Sequence, residues 1–370
     1  MNKWICAVAA LALAAPAASA KEPKPPTPLF ASDAPIHVTI QGPMNSLASN
    51  RAATPRPATM TVDGVTYSIT LTPRGITRLS KDTCEFPPLR VDLTQPAPPG
   101  SLFDHQKHLK LTVFCKRSPA FQQKVLLEYA AYRLYNLMTP ESFRARLANI
   151  DYLDETGRPY ISRAGFFVED FGDVAKRNGM SQAHMGAVVP LAQIDPTAAA
   201  RFAIFEDMIS NYDWSMRAGP KGTECCHNAR LMTGAPGGLL TPVPYDFDYS
   251  GLVDAPYAIP PEGIPVNDVR QRDYRGYCAH QTQARAIAAQ LSPRRAEFTG
   301  LFASIPGLDP REQAKAASFI QGFFADLDSG RLLKSCVSWI FPRLPPRRRR
   351  FPSRGNRRGS ASSRCARHIR

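Results

Sequence analysis

Residues 61–71 have the sequence TVDGVTYSITL, which predicts two β-strands joined by a tight turn. Apolar and polar side chains alternate from Val65 to Leu71, and Asp63-Gly64 favours the two-residue turns of β-hairpins. Other short runs rich in apolar, β-branched and aromatic residues predict further strands at 89–93, 108–114, 142–152 and 165–169. The first half of the chain is therefore expected to be rich in β-structure.

Apolar side chains at three- and four-residue spacing predict helices between and after these strands. Ser118 and Pro119 form a helix start, with a cap residue before a proline, and the helix is expected to end near Met138. Three more helices are expected, at 198–210, 281–291 and 310–327. This order predicts the α+β class with two lobes, a β-rich amino-terminal lobe (about 59–160) and a mainly helical carboxy-terminal lobe (about 161–335).

The amino terminus has the features of a secretory signal peptide. Lys3 precedes an apolar run at 4–15 that is too short to span a membrane, and the small residues 18–20 form a cleavage site. We therefore expect an exported protein, periplasmic or secreted, with no transmembrane span in the mature chain. Residues 21–58, which begin with five prolines within fifteen residues, are expected to be a linker and flexible segment.

The formal net charge of +15 is concentrated at the carboxy terminus. Residues 341–370 contain 11 arginines and no acidic residue, and without them the charge falls to +4. A nearly neutral body argues against nucleic acid as a partner, apart from a basic arm at 347–350 that could bind phosphates or anionic lipid. The composition of 336–370 predicts a disordered basic tail and also fits a frameshift near residue 335.

Seven cysteines remain after cleavage, and an oxidising compartment favours disulfides between them. We expect one bridge between Cys84 and Cys115, and a second from Cys225 or Cys226 to Cys278. An alternative is a zinc site that combines some of these thiolates with His227 or His280, since zinc prefers sulfur and imidazole ligands.

Five polar residues stand in the chain order that phosphoryl transfer from a nucleotide requires. Such a reaction depends on positioning and electrostatics rather than on covalent chemistry by the protein. A lysine can contact the phosphates, a glutamate can hold that lysine, an aspartate can orient the acceptor hydroxyl, and oxygen ligands can hold Mg²⁺. The candidates for these roles, in that order, are Lys110, Glu128, Asp213, and the pair Asn228 and Asp246. Each also has a simpler interpretation, a surface lysine or an Asx-capped turn among them.

The segments around these residues resemble the spore coat protein H family of atypical, often secreted kinases. The matching segments are Asn211-Tyr212-Asp213-Trp214, His227-Asn228 and Pro244-Tyr245-Asp246-Phe247-Asp248. The chain is also similar to uncharacterised exported bacterial proteins whose recurrent blocks match 84–90, 109–111, 126–129 and 274–278. Over roughly residues 70–280, this resemblance implies a protein-kinase-like fold, ATP with Mg²⁺, and a protein or small-molecule hydroxyl as phosphate acceptor.

The sequence departs from that family pattern at three points. Fifteen positions separate Asp213 from Asn228, no Gly-x-Gly-x-x-Gly loop is present, and Asp248 stands where kinases usually have glycine. An alternative is therefore a catalytically inactive envelope binding protein of the pseudokinase type. The predicted function is an exported kinase-like phosphotransferase, with that binding protein as the alternative.

Overall fold

Seven β-strands between residues 36 and 168 pair edge to edge until the sheet closes on itself. The computed structural model describes residues 21–338, so the predicted signal peptide and most of the predicted tail lie outside the described residues. The strands are β1 (Ile36–Gln41), β2 (Arg56–Val62), β3 (Val65–Pro73), β4 (Leu89–Leu93), β5 (His108–Thr112), β6 (Ala145–Leu153) and β7 (Pro159–Val168). They form a closed barrel in the order β1-β2-β3-β4-β5-β7-β6.

The hairpin expected at residues 61–71 is confirmed. Val62 of β2 pairs with Val65 of β3, and the two turn residues, Asp63 and Gly64, have φ angles of 50° and 79°. Positive φ at both central positions is the conformation that a two-residue hairpin turn requires. Alternate side chains of the strands then point into the barrel, where those of Ile69 and Leu71 are buried.

The barrel is closed by a parallel pair at its seam. Val38 of β1 lies beside Ile150 of β6, whereas all the other neighbouring strands of the barrel are antiparallel. The apolar residues of β1 are fully buried, and they share one core with Phe86 and Tyr152. Part of the segment that we expected to be flexible, 21–58, therefore supplies β1 and the start of β2.

The expected two-lobed protein-kinase-like fold is wrong, although the α+β class is confirmed. Closure of the sheet is what overturns it, since β1 pairs with β6 across more than a hundred residues. The expected lobe boundary at 160/161 falls inside β7, a strand that hydrogen-bonds to both β5 and β6. The sequence therefore does not divide into a β lobe and a helical lobe at that point.

Among the described residues, every α-helix except the first contributes to a second hydrophobic core, and the first helix packs against the core of the barrel. A small second sheet is also formed. The helices are α1 (Met44–Ser49), α2 (Pro119–Met138), α3 (Phe171–Arg177), α4 (Pro196–Met208), α5 (Gln281–Leu291), α6 (Arg295–Gly300) and α7 (Pro310–Asp328). The second sheet has the order β10-β9-β8, formed by β8 (Ser181–Gln182), β9 (Ala229–Thr233) and β10 (Leu240–Pro244). Within residues 21–338 there is no helix of the length and hydropathy that a membrane crossing needs.

The second hydrophobic core joins α2, α4 and the segment after β10. The ring of Phe247 packs against Tyr132 of α2 and Phe205 of α4, with centroids 4.7 and 5.3 Å away. This packing fixes the backbone on either side of Phe247. The aspartates at 246 and 248 are thereby held at the edge of the core.

Three disulfides are formed within the described residues. The expected Cys84–Cys115 bridge is confirmed. The expected bridge from Cys225 or Cys226 to Cys278 is wrong, because those two neighbours are joined to each other and Cys278 is joined to Cys336. Val337 pairs with Tyr277, which brings Cys336 beside Cys278. The zinc alternative loses its thiolates, since all these sulfurs are in disulfides.

Candidate functional site

The loop after α4 presents Asp213 at the surface of a cavity. The side chain of Asn211 accepts a hydrogen bond from the Asp213 backbone N–H (3.2 Å), and Asn211 itself is buried. The indole of Trp214 donates to the Asn211 carbonyl (3.0 Å), which closes the turn from the other side. The Asp213 side chain remains 35% exposed. The turn therefore fixes the backbone while the carboxylate stays accessible.

Asn228 lies next to Asp213 despite the fifteen positions between them. Ser215 and His227 exchange two backbone hydrogen bonds, so the intervening residues form a loop whose two ends are held together. The Asn228 amide nitrogen donates to the backbone carbonyl of Asp213 (2.7 Å) and to its Oδ2 (3.0 Å). The insertion that distinguishes this sequence from the family pattern is thus accommodated without separating the two residues.

His227 makes the second contact of the Asp213 carboxylate. Its Nε2 lies 2.7 Å from Asp213 Oδ1. The hydrogen bond to Asp213 raises the pKa of His227, and burial only partly opposes this rise. The aspartate is therefore held by an amide on one oxygen and an imidazole on the other.

Asp246 completes the cavity from the strand end of β10. Its backbone N–H donates to the Tyr132 hydroxyl (3.0 Å), and its φ of 67° turns the chain sharply. Asp213, Asn228 and Asp246 line one cavity of 430 Å³, which we call the aspartate cavity. The wall of this cavity also includes residues of the β3–β4 loop, of the loop between Asp213 and Asn228, and of the segment after β10. They are Arg74, Gly75, Ile76, Thr77, Arg78, Pro88, Pro220, Cys226, His227, Tyr245, Asp248 and Tyr249.

Arg78 is the residue that connects the carboxylates beneath the aspartate cavity. Its guanidinium nitrogens lie 2.8 Å from Glu128 Oε2, 2.9 Å from Asp246 Oδ1 and 3.1 Å from Asp248 Oδ2. The Arg78 side chain is only 10% exposed, and those of Glu128 and Asp248 are similarly buried. One buried cation therefore faces three carboxylates from two parts of the chain.

Burial and charge act in opposite directions on this cluster. Burial pulls the pKa of Arg78 down, but Asp248 and Glu128 outweigh it and raise the pKa above its usual value. Burial also raises the pKa of Glu128 and of Asp248, against the attraction of Arg78. Removal of the arginine would leave carboxylates in a poorly solvated place without their cation.

The expected ion pair between Lys110 and Glu128 is not formed. Glu128 is held by Arg78, whereas the Lys110 ammonium lies 4.5 Å from the ring centroid of Tyr245. Burial lowers the pKa of Lys110 to about 8, and the charges of Arg74 and Arg230 add to the effect. Lys110 points into a different cavity of 330 Å³, the lysine cavity, which shares Arg74 with the aspartate cavity.

Four of the five predicted residues, Glu128, Asp213, Asn228 and Asp246, therefore lie around one cluster, whereas Lys110 lies in the other cavity. Sequence reasoning missed Arg78, which lies in a short turn of the β3–β4 loop. A signal was present, since Glu128 is flanked by apolar residues of α2 that are all buried. A carboxylate on such a face needs a buried cation.

The donor set of the aspartate cavity is compatible with Mg²⁺ delivered by a phosphate ligand. Oδ2 of Asp246 and Oδ1 of Asn228 make no hydrogen bond to any of residues 21–338. Mg²⁺ is usually bound by one or two protein oxygens together with waters and substrate phosphates. Across the same residues there is no cluster of three or more His, Cys, Asp or Glu side chains arranged for a metal. The residues therefore fit a metal ion that a phosphate ligand also coordinates, and not a metal ion that protein side chains alone enclose.

No protein-family model matches the chain, and a search of curated proteins returns no match.

Proposed function

We propose that the aspartate cavity binds a nucleotide with Mg²⁺ and that the protein transfers a phosphoryl group from it to a hydroxyl. The observation that supports this proposal is the meeting of Asp213, Asn228 and Asp246 in one cavity, although they come from three separate segments. The closed barrel is not a protein-kinase fold and gives the proposal no support. The proposal therefore depends on the geometry of these side chains.

Each side chain has a definite task in such a transfer. Asn228 and Asp246, which line the cavity, would hold Mg²⁺. The Mg–nucleotide complex supplies the phosphoryl group and neutralises part of its charge. Asp213 would accept a hydrogen bond from the acceptor hydroxyl and take its proton as the oxygen attacks phosphorus, while the nucleoside diphosphate leaves. His227 keeps the Asp213 carboxylate oriented for this contact.

We further propose that the protein acts outside the cytoplasm, in the periplasm or as a secreted protein. The signal-peptide pattern at residues 1–20 supports this location, and the disulfides agree with it because such bonds persist in oxidising compartments. The acceptor would then be a hydroxyl of an exported protein or of a small molecule.

Nucleotide binding is tested by thermal unfolding of the purified protein with and without Mg-ATP. Ligand at about 100 times its dissociation constant is expected to stabilise the fold by about 2.7 kcal/mol. Asp246→Asn should abolish the shift, measured against the unfolding temperature of that variant alone. Asp254→Asn is the matched control, because Asp254 also has a positive φ (52°) but lies outside the aspartate cavity. An equal Mg-ATP shift in both variants would contradict the proposed site.

Catalysis is tested by Asp213→Asn with γ-labelled ATP and the secreted proteins of the source culture as acceptors. The variant should retain the Mg-ATP stabilisation and lose about a hundredfold in transfer rate, since it removes the group that takes the proton. Unchanged transfer by this variant would exclude Asp213 from the reaction.

A binding protein without catalysis is the second candidate, and the position of Arg78 favours it. The guanidinium already occupies one oxygen of Asp246, and Glu128 holds that arginine instead of Lys110. A protein of this kind would show the Mg-ATP shift without any transfer of label.

A further inference from the structure

The lysine cavity is distinct from the aspartate cavity, although Arg74 lines both. Lys110 and Arg230 both lie over the Tyr245 ring, 4.5 and 5.7 Å from its centroid. The cavity is built from β4, β5, the end of β7, the start of α3, β8 and β9, and it is lined by Arg74, Arg90, His108, Leu109, Lys110, Val168, Glu169, Asp170, Phe171, Gln182 and Arg230. Its volume of 330 Å³ is in the range of small-molecule sites.

The acidic groups of the lysine cavity are already engaged. Glu169 forms a buried ion pair with Arg177 (3.0 Å) and also accepts the backbone N–H of Arg144 (2.9 Å). Asp170 accepts the Gly172 backbone N–H (2.8 Å) at the start of α3. These carboxylates are thus committed to holding the local structure.

Two of the other side chains that line the lysine cavity, Arg90 and His108, contact the same acid. Asp92 lies 2.7 Å from the Arg90 guanidinium and also forms a hydrogen bond with His108. The other basic side chains that line the lysine cavity are Arg74, Lys110 and Arg230.

Three basic side chains of the lysine cavity have no carboxylate as an ion-pair partner anywhere in residues 21–338. They are Arg74, Lys110 and Arg230, which come from the β3–β4 loop, from β5 and from β9. Lys110 and Arg74 are half-buried and Arg230 is exposed, and burial together with the charges of the two arginines lowers the pKa of Lys110. Like charges gathered around one cavity repel one another, and a bound anion relieves that repulsion.

We propose that the lysine cavity binds the phosphate group of a small molecule, with Arg74, Lys110 and Arg230 as its ligands. A phosphate dianion has enough acceptor oxygens to receive donors from three directions, and guanidinium groups bind it in a bidentate manner. The remaining volume accommodates an organic part, for which Gln182 and Phe171 form one wall. This proposal depends on the charges that line the lysine cavity, so it does not require a nucleotide in the aspartate cavity.

The test is a titration of the purified protein with inorganic phosphate. Binding is measured as the rise in the thermal unfolding temperature, at an ionic strength held constant with sodium chloride. Arg230→Gln should weaken the apparent phosphate affinity at least about tenfold, because a charge-assisted contact is lost. Lys110→Met should do the same and serves as the second variant if Arg230→Gln does not fold. Arg285→Gln, on the exposed face of α5, is the matched control and should retain the wild-type affinity.

Two further arms identify the source of the phosphate group. Glycerol 3-phosphate should bind more tightly than inorganic phosphate if an organic part occupies the cavity, and equal affinities would identify free phosphate as the ligand of the same site. Phosphate stabilisation should also persist under saturating Mg-ATP. Competition between the two would mean that nucleotide phosphates fill the lysine cavity, which would overturn the proposal. The absence of any phosphate effect in the wild type would overturn it as well.

Discussion

Arg78 determines the charge balance of the candidate site more than any other single residue. It is the nearest cation to Glu128, Asp246 and Asp248, and two of these three carboxylates are buried. A buried charge without its partner is strongly destabilising, whereas a complete buried network is close to neutral. Arg78 is therefore required for the stability of the fold, because it compensates the charges of the acids around it.

Replacement of this arginine gives a stability prediction. Arg78→Met should lower the free energy of unfolding by about 3–5 kcal/mol at pH 7, measured by urea denaturation. Arg90→Met, which removes a half-exposed arginine of β4, should cost less than about 1 kcal/mol. Similar losses in the two variants would show that Arg78 does not compensate a buried acidic cluster.

The same cluster predicts a pH dependence. Burial raises the pKa of Glu128 and of Asp248, so both bind protons more readily in the folded than in the unfolded state. Such groups favour the fold most at low pH, and that contribution is lost as the pH rises through their raised pKa values. The loss in free energy of unfolding caused by Arg78→Met should therefore shrink as the pH falls from 7.5 to 5. A loss that stays constant over this range would contradict this explanation.

At the scale of single elements, the predictions from sequence that depend on neighbouring residues were correct. The Asp63-Gly64 turn, the proline start of α2 and the strand at Leu89–Leu93 are specified by local spacing and backbone preference. The partner of Cys278 was not predictable in this way. It depends on where the chain after α7 returns, and no local pattern near Cys336 specifies that path.

The disulfides differ in the length of chain that they close, which gives a prediction for this scale. The Cys278–Cys336 bridge spans 58 positions, so its removal by Cys278→Ser with Cys336→Ser should cost about 2–4 kcal/mol in urea unfolding. Cys225→Ser with Cys226→Ser is the control, because that bridge joins neighbours and closes almost no chain. Equal losses would show that loop closure is not the source of the stabilisation.

At the scale of the whole molecule, the sequence predicted the class but not the architecture. Every barrel strand from β2 to β7 was expected in some form, and most pair with a neighbour close in the chain. The seam between β1 and β6 joins residues that are more than a hundred positions apart. A six-residue apolar strand beside a proline-rich segment carries no local signal of its distant partner.

Closure of the barrel predicts that the segment before residue 58 is essential for stability. Ile40 of β1 is fully buried, so Ile40→Ala should lower the free energy of unfolding by about 2–5 kcal/mol. Ile259→Ala changes the same side chain at a position that is 70% exposed, and it should stay within about 0.5 kcal/mol of the wild type. If Ile40→Ala were equally mild, β1 would not be part of a closed barrel in solution.

The closed seam also affects how copies of this protein meet at high concentration. A sheet edge offers unpaired N–H and C=O groups to any passing strand, and a closed barrel has no such edge. The second sheet does have edges, but β10 contains Pro242 and Pro244, whose nitrogens cannot donate a hydrogen bond. The barrel thus offers no edge for the pairing from which β-aggregates grow, and the two prolines limit such pairing along β10.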